Sequence, residues 1–365
     1  MARRKSFQVS KSSIGQYMVC PRSWLYSRYP GMPKKVDYAR LFGIEVHSFI
    51  KLLHKKTKTP RPFYFKTLDA AINQWRRRWM IALDKVKANG SLIMPNRGME
   101  FAYLDIGEKC ITKYWDANIN RPRPIEVEQR YTGRLDGIPL VGIFDQVRRI
   151  SLKWIAENRP ELIVDGQLSP LYDPVVIVDL KTDYTDYDAE KLIKNPTLEE
   201  WIRTQYSLHE STQATLYTLL YYQKTGKMPI GFWWYHLRSG MGFFTCHEDE
   251  SFVTLAGQIR HLVENLQYRS FPKNPGEHCK RCDYLEPCNE DRLFRVSRPG
   301  NLEDAVETET AEPTFEKDKG RQLRLKLDLP RKEQVEPVVN RKPRPILVDL
   351  PWDDDESIDT LFFHV

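Results

Sequence analysis

The sequence predicts an α/β fold with a central mixed β-sheet flanked by helices, preceded by a helical region and followed by a flexible tail. Three observations predict it. Apolar residues recur at helical spacing through residues 10–118, and apolar strand-like runs take over from residue 124. Beyond about Arg295 the chain alternates charge and proline without apolar rhythm until Trp352. With 365 residues, 41% hydrophobic and 12% aromatic, there is material for a substantial core.

Ser10, Ser12 and Ser13 are candidate caps for a helix over 10–28, and Pro21 inside it starts a second helix or marks a kink. Phe42, Val46, Phe49, Ile50 and Leu53 set a helix over about 37–55. Further helices follow over about 68–87 and 98–118, the first carrying Arg76-Arg77-Arg78 between Trp75 and Trp79. Residues 124–131 and 139–149 read as strands joined by a turn at Gly133–Gly137. A polar connection over 151–173 leads to a strand over 174–182, Pro-Val-Val-Ile-Val-Asp-Leu-Lys-Thr. A long helix spans about 198–225, a hairpin over 230–247 turns at Ser239-Gly240, and a last helix spans 252–268. This divides the chain into an N-terminal helical region (1–122), a core with the C-terminal cysteines (123–295) and an acidic tail (296–365).

The net charge of +7 conceals an asymmetry: from Gly300 to Val365 ten basic residues face sixteen acidic ones, which leaves +13 on residues 1–299. A basic body with an acidic tail suits a polyanion-binding domain whose tail contacts something else. No apolar run reaches the length of a membrane span, and the basic N-terminus lacks a secretory apolar stretch, so a soluble intracellular protein without membrane contact is expected. In such a chain six cysteines are more readily metal ligands or buried thiols than disulfides.

Asp179 and Lys181 stand two apart at the tip of an apolar strand, so their side chains share a face. Alone, the pair reads as a surface ion pair or as a metal-ligating carboxylate beside a lysine. Asp145 sits mid-strand in Val-Gly-Ile-Phe-Asp, where an unpaired carboxylate would cost several kcal/mol, and it needs a cation: a divalent ion shared with Asp179, or an arginine such as Arg134 or Arg148. His47 lies on the helix over 37–55, and Glu128 is a further possible ligand or water-orienting acid. Gln213 and Tyr217, four apart, share one helix face.

In order along the chain, Gly43-x-x-x-His47, Gly142-x-x-Asp145, Asp179-x-Lys181 and Gln213-x-x-x-Tyr217 resemble the motifs of RecB-type nucleases of the PD-(D/E)XK superfamily, with Phe144 in place of the proline. Cys279-x-x-Cys282-x5-Cys288 with the remote Cys20 resembles the iron–sulfur staple of AddB-type and CRISPR-associated RecB-like exonucleases. Four thiolates fit a 4Fe–4S cluster, and by ligand type alone they fit zinc as well; the resemblance favours iron–sulfur. Cys110 and Cys246 fall outside the pattern as expected buried thiols.

The resemblance covers about residues 10–290 and implies a restriction-endonuclease-like core and metal-dependent hydrolysis of DNA, from single-stranded ends, in recombination, replication or repair. It implies His47, Asp145, Asp179 and the Leu180 carbonyl as ligands of Mg²⁺ or Mn²⁺, Lys181 as the group that attends the water or the phosphate, and Gln213 and Tyr217 as supports or DNA contacts. It implies the cytoplasm of a bacterial, archaeal or phage-infected cell. Other readings are a non-catalytic iron–sulfur DNA-binding module, and the nuclease subunit of a helicase–nuclease or CRISPR adaptation complex. No GxxxxGK[ST] phosphate loop occurs, so a motor would be a separate chain. The basic and aromatic stretches Trp75–Trp79 and Arg148–Trp154 are either a single-strand channel or a solvated face over core tryptophans. The apolar end of the tail, Ile358–Phe363, resembles a docking peptide for a sliding clamp, and a helicase is another partner for it.

Overall fold

A computed structural model describes residues 8–28, 32, 35–55, 62–92, 95–182, 211–246, 249–268, 271–290 and 347–348. Helices α1 (Lys11–Val19), α2 (Pro21–Tyr26), α3 (Tyr38–Leu53), α4 (Leu68–Ala88) and α5 (Arg97–Asn118) come first. Strands β1 (Glu126–Leu135) and β2 (Ile138–Arg149) follow, then α6 (Leu152–Asn158), the short strands β3 (Ile163–Val164) and β4 (Gln167–Leu168), and β5 (Tyr172–Lys181). Then come α7 (Thr212–Thr225), β6 (Met228–His236), β7 (Met241–Thr245), α8 (Asp249–Gln267), α9 (Leu285–Asn289) and β8 (Leu347–Val348). No helix among the described residues is long and apolar enough to cross a membrane.

The chain divides into two compact units. The larger, residues 35–133, 142–248 and 342–365, contains most of a sheet ordered β1-β2-β5-β6-β7-β8. β5 runs antiparallel to β2, with Gln146 opposite Val178, and parallel to β6, with Asp179 beside Trp234. β7 and β8 add antiparallel pairs. The sheet is therefore mixed, as the alternation of helices and strands predicts. Val175, Val176, Ile177 and Val178 are all buried, so β5 is covered on both faces and reads as a continuous apolar run.

The smaller unit comprises residues 1–34, 134–141 and 249–341. Ser10 caps α1, accepting from the Ser13 amide at 3.2 Å, and Pro21 is the first residue of α2, where its missing N–H costs nothing. Trp24 stacks on Phe271 with centroids 6.0 Å apart, and Tyr26 stacks on Tyr284. The first helices and the C-terminal segment therefore share a core despite some 250 residues of intervening sequence.

Several expectations are corrected. The connection over 151–173 holds a helix and a small hairpin, β3–β4, which turns at Asp165-Gly166 with both residues at positive φ. The turn between β1 and β2 is the two-residue Asp136-Gly137 rather than Gly133–Gly137, again with both residues at positive φ, the hairpin turn that strand twist favours. Of the expected helix over 198–225, Thr212–Thr225 is helical and residues 198–210 lie outside the described residues. Leu347 and Val348 pair with β7, whereas the rest of the tail, including Ile358–Phe363 and so the clamp or helicase contact, lies outside the described residues.

The single-strand channel is overturned on its aromatic side. Trp75 and Trp79 are fully buried and donate to the Leu104 and Glu100 carbonyls, and Trp154 is 1% exposed. A base cannot stack on a ring that is already enclosed. Arg76 pairs with Glu108 and Arg78 with Glu45, as expected of a solvated helix face.

Candidate active site

The larger unit brings the expected residues together from five elements. His47 projects from α3, Glu128 from β1, Asp145 from β2, Asp179 and Lys181 from the end of β5, and Gln213 and Tyr217 from α7. Because β2 and β5 are adjacent, carboxylates 34 residues apart in sequence stand on neighbouring strands.

Asp145 is buried, and its two oxygens are committed differently. Oδ2 accepts the Leu180 amide at 2.7 Å, and Oδ1 lies 3.2 Å from His47 Nδ1. Leu180 thus meets Asp145 through its N–H. Arg148, a rival cation for Asp145, instead donates to Gln146 Oε1 and the Tyr114 hydroxyl, and Arg134 donates to the Gly137 carbonyl.

Asp179 is 4% exposed. Gln213 Nε2 donates to its Oδ1, and Lys181 Nζ lies 2.7 Å from Oδ2, close enough for an ion pair though outside hydrogen-bond alignment. Lys181 also donates to Gln213 Oε1 at 3.2 Å and sits 4.5 Å from the centre of the Trp234 ring. One glutamine amide therefore fixes both the acid and the amine, with an indole face beneath the charge.

The motif glycine and tyrosine explain each other. A Cβ at Gly142 would lie 2.9 Å from both Tyr217 Cε1 and Leu220 Cδ1, so only glycine lets α7 approach β2 this closely. Tyr217 stacks on Phe144 with centroids 4.6 Å apart, and its hydroxyl is hydrogen-bonded to Gln213 and the Ile143 backbone. The aromatic at the position of the superfamily's proline therefore packs the tyrosine. A Cβ at Gly43, one turn before His47, would meet Thr182 Oγ1 at 3.1 Å, which keeps α3 against the end of β5.

Electrostatics make the pocket hungry for positive charge. Burial lowers the affinity of His47 for a proton, but Asp145, with help from Asp179 and Glu128, overcomes this and raises its pKa above the ordinary value. Burial raises Asp179 despite the opposing Lys181, with Asp145 adding to the rise. Burial and Asp145 likewise raise Glu128. Carboxylates and an imidazole crowded into a desolvated space favour the arrival of a cation.

A divalent ion fits this donor set. Oxygen donors suit Mg²⁺ and Mn²⁺, and an imidazole favours manganese among them. One ligand atom each from His47, Glu128 and Asp145 lie within 4.8 Å of one another. Glu128, named from the sequence as a possible further ligand though it lies outside the motifs, is the acid that joins His47 and Asp145 here. Trp234 was missed, because an indole in an apolar strand reads as core.

Cys20, Cys279, Cys282 and Cys288 all lie in the smaller unit. Cys20, at the junction of α1 and α2, is buried, while Cys279, Cys282 and Cys288 are half-buried. Asn274 donates to the Val19 carbonyl at 2.8 Å, Arg22 to that of Phe271 at 2.9 Å, and Tyr26 to that of Pro287 at 3.2 Å. Burial raises the Cys288 thiol above its ordinary value; Cys20 and Cys282 add to the rise, and Lys273 and Arg22 oppose it. Cys20 and Cys282 are thus neighbours of Cys288, and thiolates as a ligand type suit zinc or an iron–sulfur cluster. Cys110 is buried with its pKa pushed up to about 11, an inert thiol as expected, but Cys246 is half-buried rather than buried.

Among curated proteins no relative matches. Among solved structures, a crystal structure of a provisionally assigned exonuclease from Eubacterium rectale is similar, at 15% identity over 82% of this chain and 93% of that one, with a TM-score of 0.38. The family model described as the PD-(D/E)XK nuclease superfamily matches residues 8–155 and 171–289, well over half of the sequence, and the chain belongs to that superfamily.

Proposed function

We propose that the protein is a Mg²⁺- or Mn²⁺-dependent deoxyribonuclease that removes nucleotides from single-stranded DNA ends. The observation that carries this reading is Asp145 and Asp179 on adjacent strands, with His47 against Asp145 and Lys181 against Asp179. A bound divalent ion would supply Lewis acidity toward the phosphate and a water of lowered pKa. His47, Asp145 and Asp179, with the Leu180 carbonyl, are the donors assigned to it. Lys181 holds its ammonium at the rim, where its side chain keeps 24% of its exposure, and offers preorganised positive charge to the oxygen that becomes more negative during displacement. Gln213 keeps acid and amine in register, and Tyr217 keeps Gln213 in place.

Attack from single-stranded ends is supported by the RecB-type motif order and by the +13 charge of residues 1–299. The cysteines are assigned to a 4Fe–4S cluster that ties the N-terminal helices to the C-terminal segment, on the strength of Cys20 lying beside Cys288. Recombination, replication or repair is the setting assigned. A helicase or sliding clamp is the partner class, and the cytoplasm is the compartment.

The test is Asp179→Ala on end-labelled linear and on circular single strands, with binding followed by fluorescence anisotropy. Wild type should degrade the linear strands in Mn²⁺ and spare the circles; the variant should bind DNA and cleave nothing. Undiminished cleavage by the variant sinks the assignment of the site, and rapid cutting of circles removes the end requirement. Iron and sulfide analysis with a visible spectrum after anaerobic purification tests the cluster, and zinc without iron overturns it.

A further inference from the structure

The two carboxylates of the motifs are not equivalent in the DNA-free protein. Both oxygens of Asp179 already face internal partners, Gln213 on one side and Lys181 on the other. With Lys181 at 2.7 Å, the Asp179 charge is balanced within its own strand. Among the described residues Asp145 has no such cation of fixed charge; its neighbours there are a backbone amide, an imidazole and the Glu128 carboxyl. Glu128 is the second acid on that side, and its reachable oxygen lies within 4.8 Å of those of His47 and Asp145.

The backbone of Glu128 is a separate observation. Its φ is +49°, in the left-handed region that a non-glycine residue inside a strand rarely occupies and that costs on the order of 1–3 kcal/mol. The distortion has a visible consequence. Glu126 and Tyr131 are five residues apart, so regular alternation would put them on opposite faces of β1, yet Tyr131 donates to Glu126 Oε2 at 2.6 Å. The left-handed backbone at Glu128 lies between the two and accounts for this change of phase, a local distortion of the kind that re-aims side chains beside active sites.

We infer that in the DNA-free protein the divalent ion is held by His47, Glu128 and Asp145, with Glu128 contributing more to its binding than Asp179 does. This rests on the proposed function and deepens it. The charges close in pairs: Glu128 and Asp145 together neutralise a divalent ion, and Asp179 is neutralised by Lys181. Desolvated charges are tolerated when balanced locally. Asp179 becomes available to the ion when a DNA phosphate competes for Lys181. Glu128 is then a catalytic residue in the sense that it touches the cofactor.

The experiment measures Mn²⁺ binding to full-length, DNA-free protein by isothermal titration and by the decline of the free Mn²⁺ paramagnetic resonance signal. Glu128→Gln should weaken binding by about tenfold or more and Asp179→Asn by about threefold or less, with Asp145→Asn as the reference loss. Glu128→Gly separates ligation from folding. It removes the carboxylate but suits the left-handed backbone, so its melting temperature without metal should equal or exceed that of wild type while the increment on adding Mn²⁺ disappears. If Asp145→Asn loses the ion but Glu128→Gln keeps it, or if Asp179→Asn is the more damaging of the two, the inference falls and the nuclease reading stands. If Asp145→Asn also binds Mn²⁺ normally, the site itself is wrong and both fall.

Discussion

At the carboxylate site the charged groups hold one another in place. Asp145 is fixed by the Leu180 amide and His47, and Asp179 by Gln213 and Lys181. At the cysteine site the anchors are side-chain donors on backbone carbonyls, Asn274 on Val19, Arg22 on Phe271 and Tyr26 on Pro287, together with stacked rings. There the thiols are carried into place by a scaffold. Among their polar contacts is one weak bond, from the Tyr284 amide to Cys282 Sγ at 3.4 Å. Removing one member of a mutually held set disturbs the rest, whereas removing one thiol from a scaffold deletes a ligand and leaves its neighbours in position.

The sharpest break in that comparison is Lys181→Ala. It removes the counter-charge of Asp179 and one of the three partners of the Gln213 amide, so single-turnover cleavage should fall by about a thousandfold with DNA binding nearly unchanged. Cleavage within tenfold of wild type would show that the ammonium attends neither water nor phosphate.

Next in size is Cys288→Ser. The visible absorption and bound metal should be lost and the melting temperature should drop by about 5 °C or more, while phosphodiester hydrolysis by the remaining folded protein stays within about threefold. Loss of hydrolysis in proportion to loss of iron, in protein that is still folded, would give the cysteines a direct part in the chemistry.

The two sites should also differ in their response to pH. His47, Asp179 and Glu128 all have raised pKa values, so the metal-free site retains protons above the ordinary ranges and must release them to ligate. Ion binding therefore strengthens as pH rises through the raised values, with proton release measurable by titration in buffers of different ionisation heat. The sign for folding follows from the same shifts. Each group binds protons more tightly folded than unfolded, so its contribution to metal-free stability is greatest below the unfolded pKa and is lost as pH rises through the folded one. Affinity that is flat with pH would remove these groups from the ligand set.

The smallest effect is expected from Gly142→Ala. The added methyl meets Tyr217 and Leu220 at 2.9 Å, so α7 or β2 must shift, at a cost of about 1–3 kcal/mol in urea unfolding and about tenfold in kcat through Gln213. An unchanged kcat would uncouple the tyrosine from the site.

Each motif residue could be named before the fold was known, because the types that ligate and polarise are few and stood in a recognisable order. The α3 periodicity and the caps at Ser10 and Pro21 were legible for the same local reason. The tryptophans flanking Arg76–Arg78 were ambiguous, since a ring beside a cation reads alike whether it faces solvent or core; burial decided for the core. Asp179 and Lys181 could equally have been a surface ion pair, and what changed this was Asp145 arriving on β2.

By itself the sequence determined the mixed α/β plan, the family motifs, the four thiols and the charge difference between body and tail, all properties of residue type and short spacing. Tertiary structure alone decided that one glutamine joins Asp179 to Lys181, that Gly142 is small because Tyr217 lies over it, and that a left-handed Glu128 turns toward His47 and Asp145. The physical reason is range. Periodicity and chemistry are written locally, but desolvation, charge pairing and close approach depend on atoms that only chain folding brings within a few ångströms.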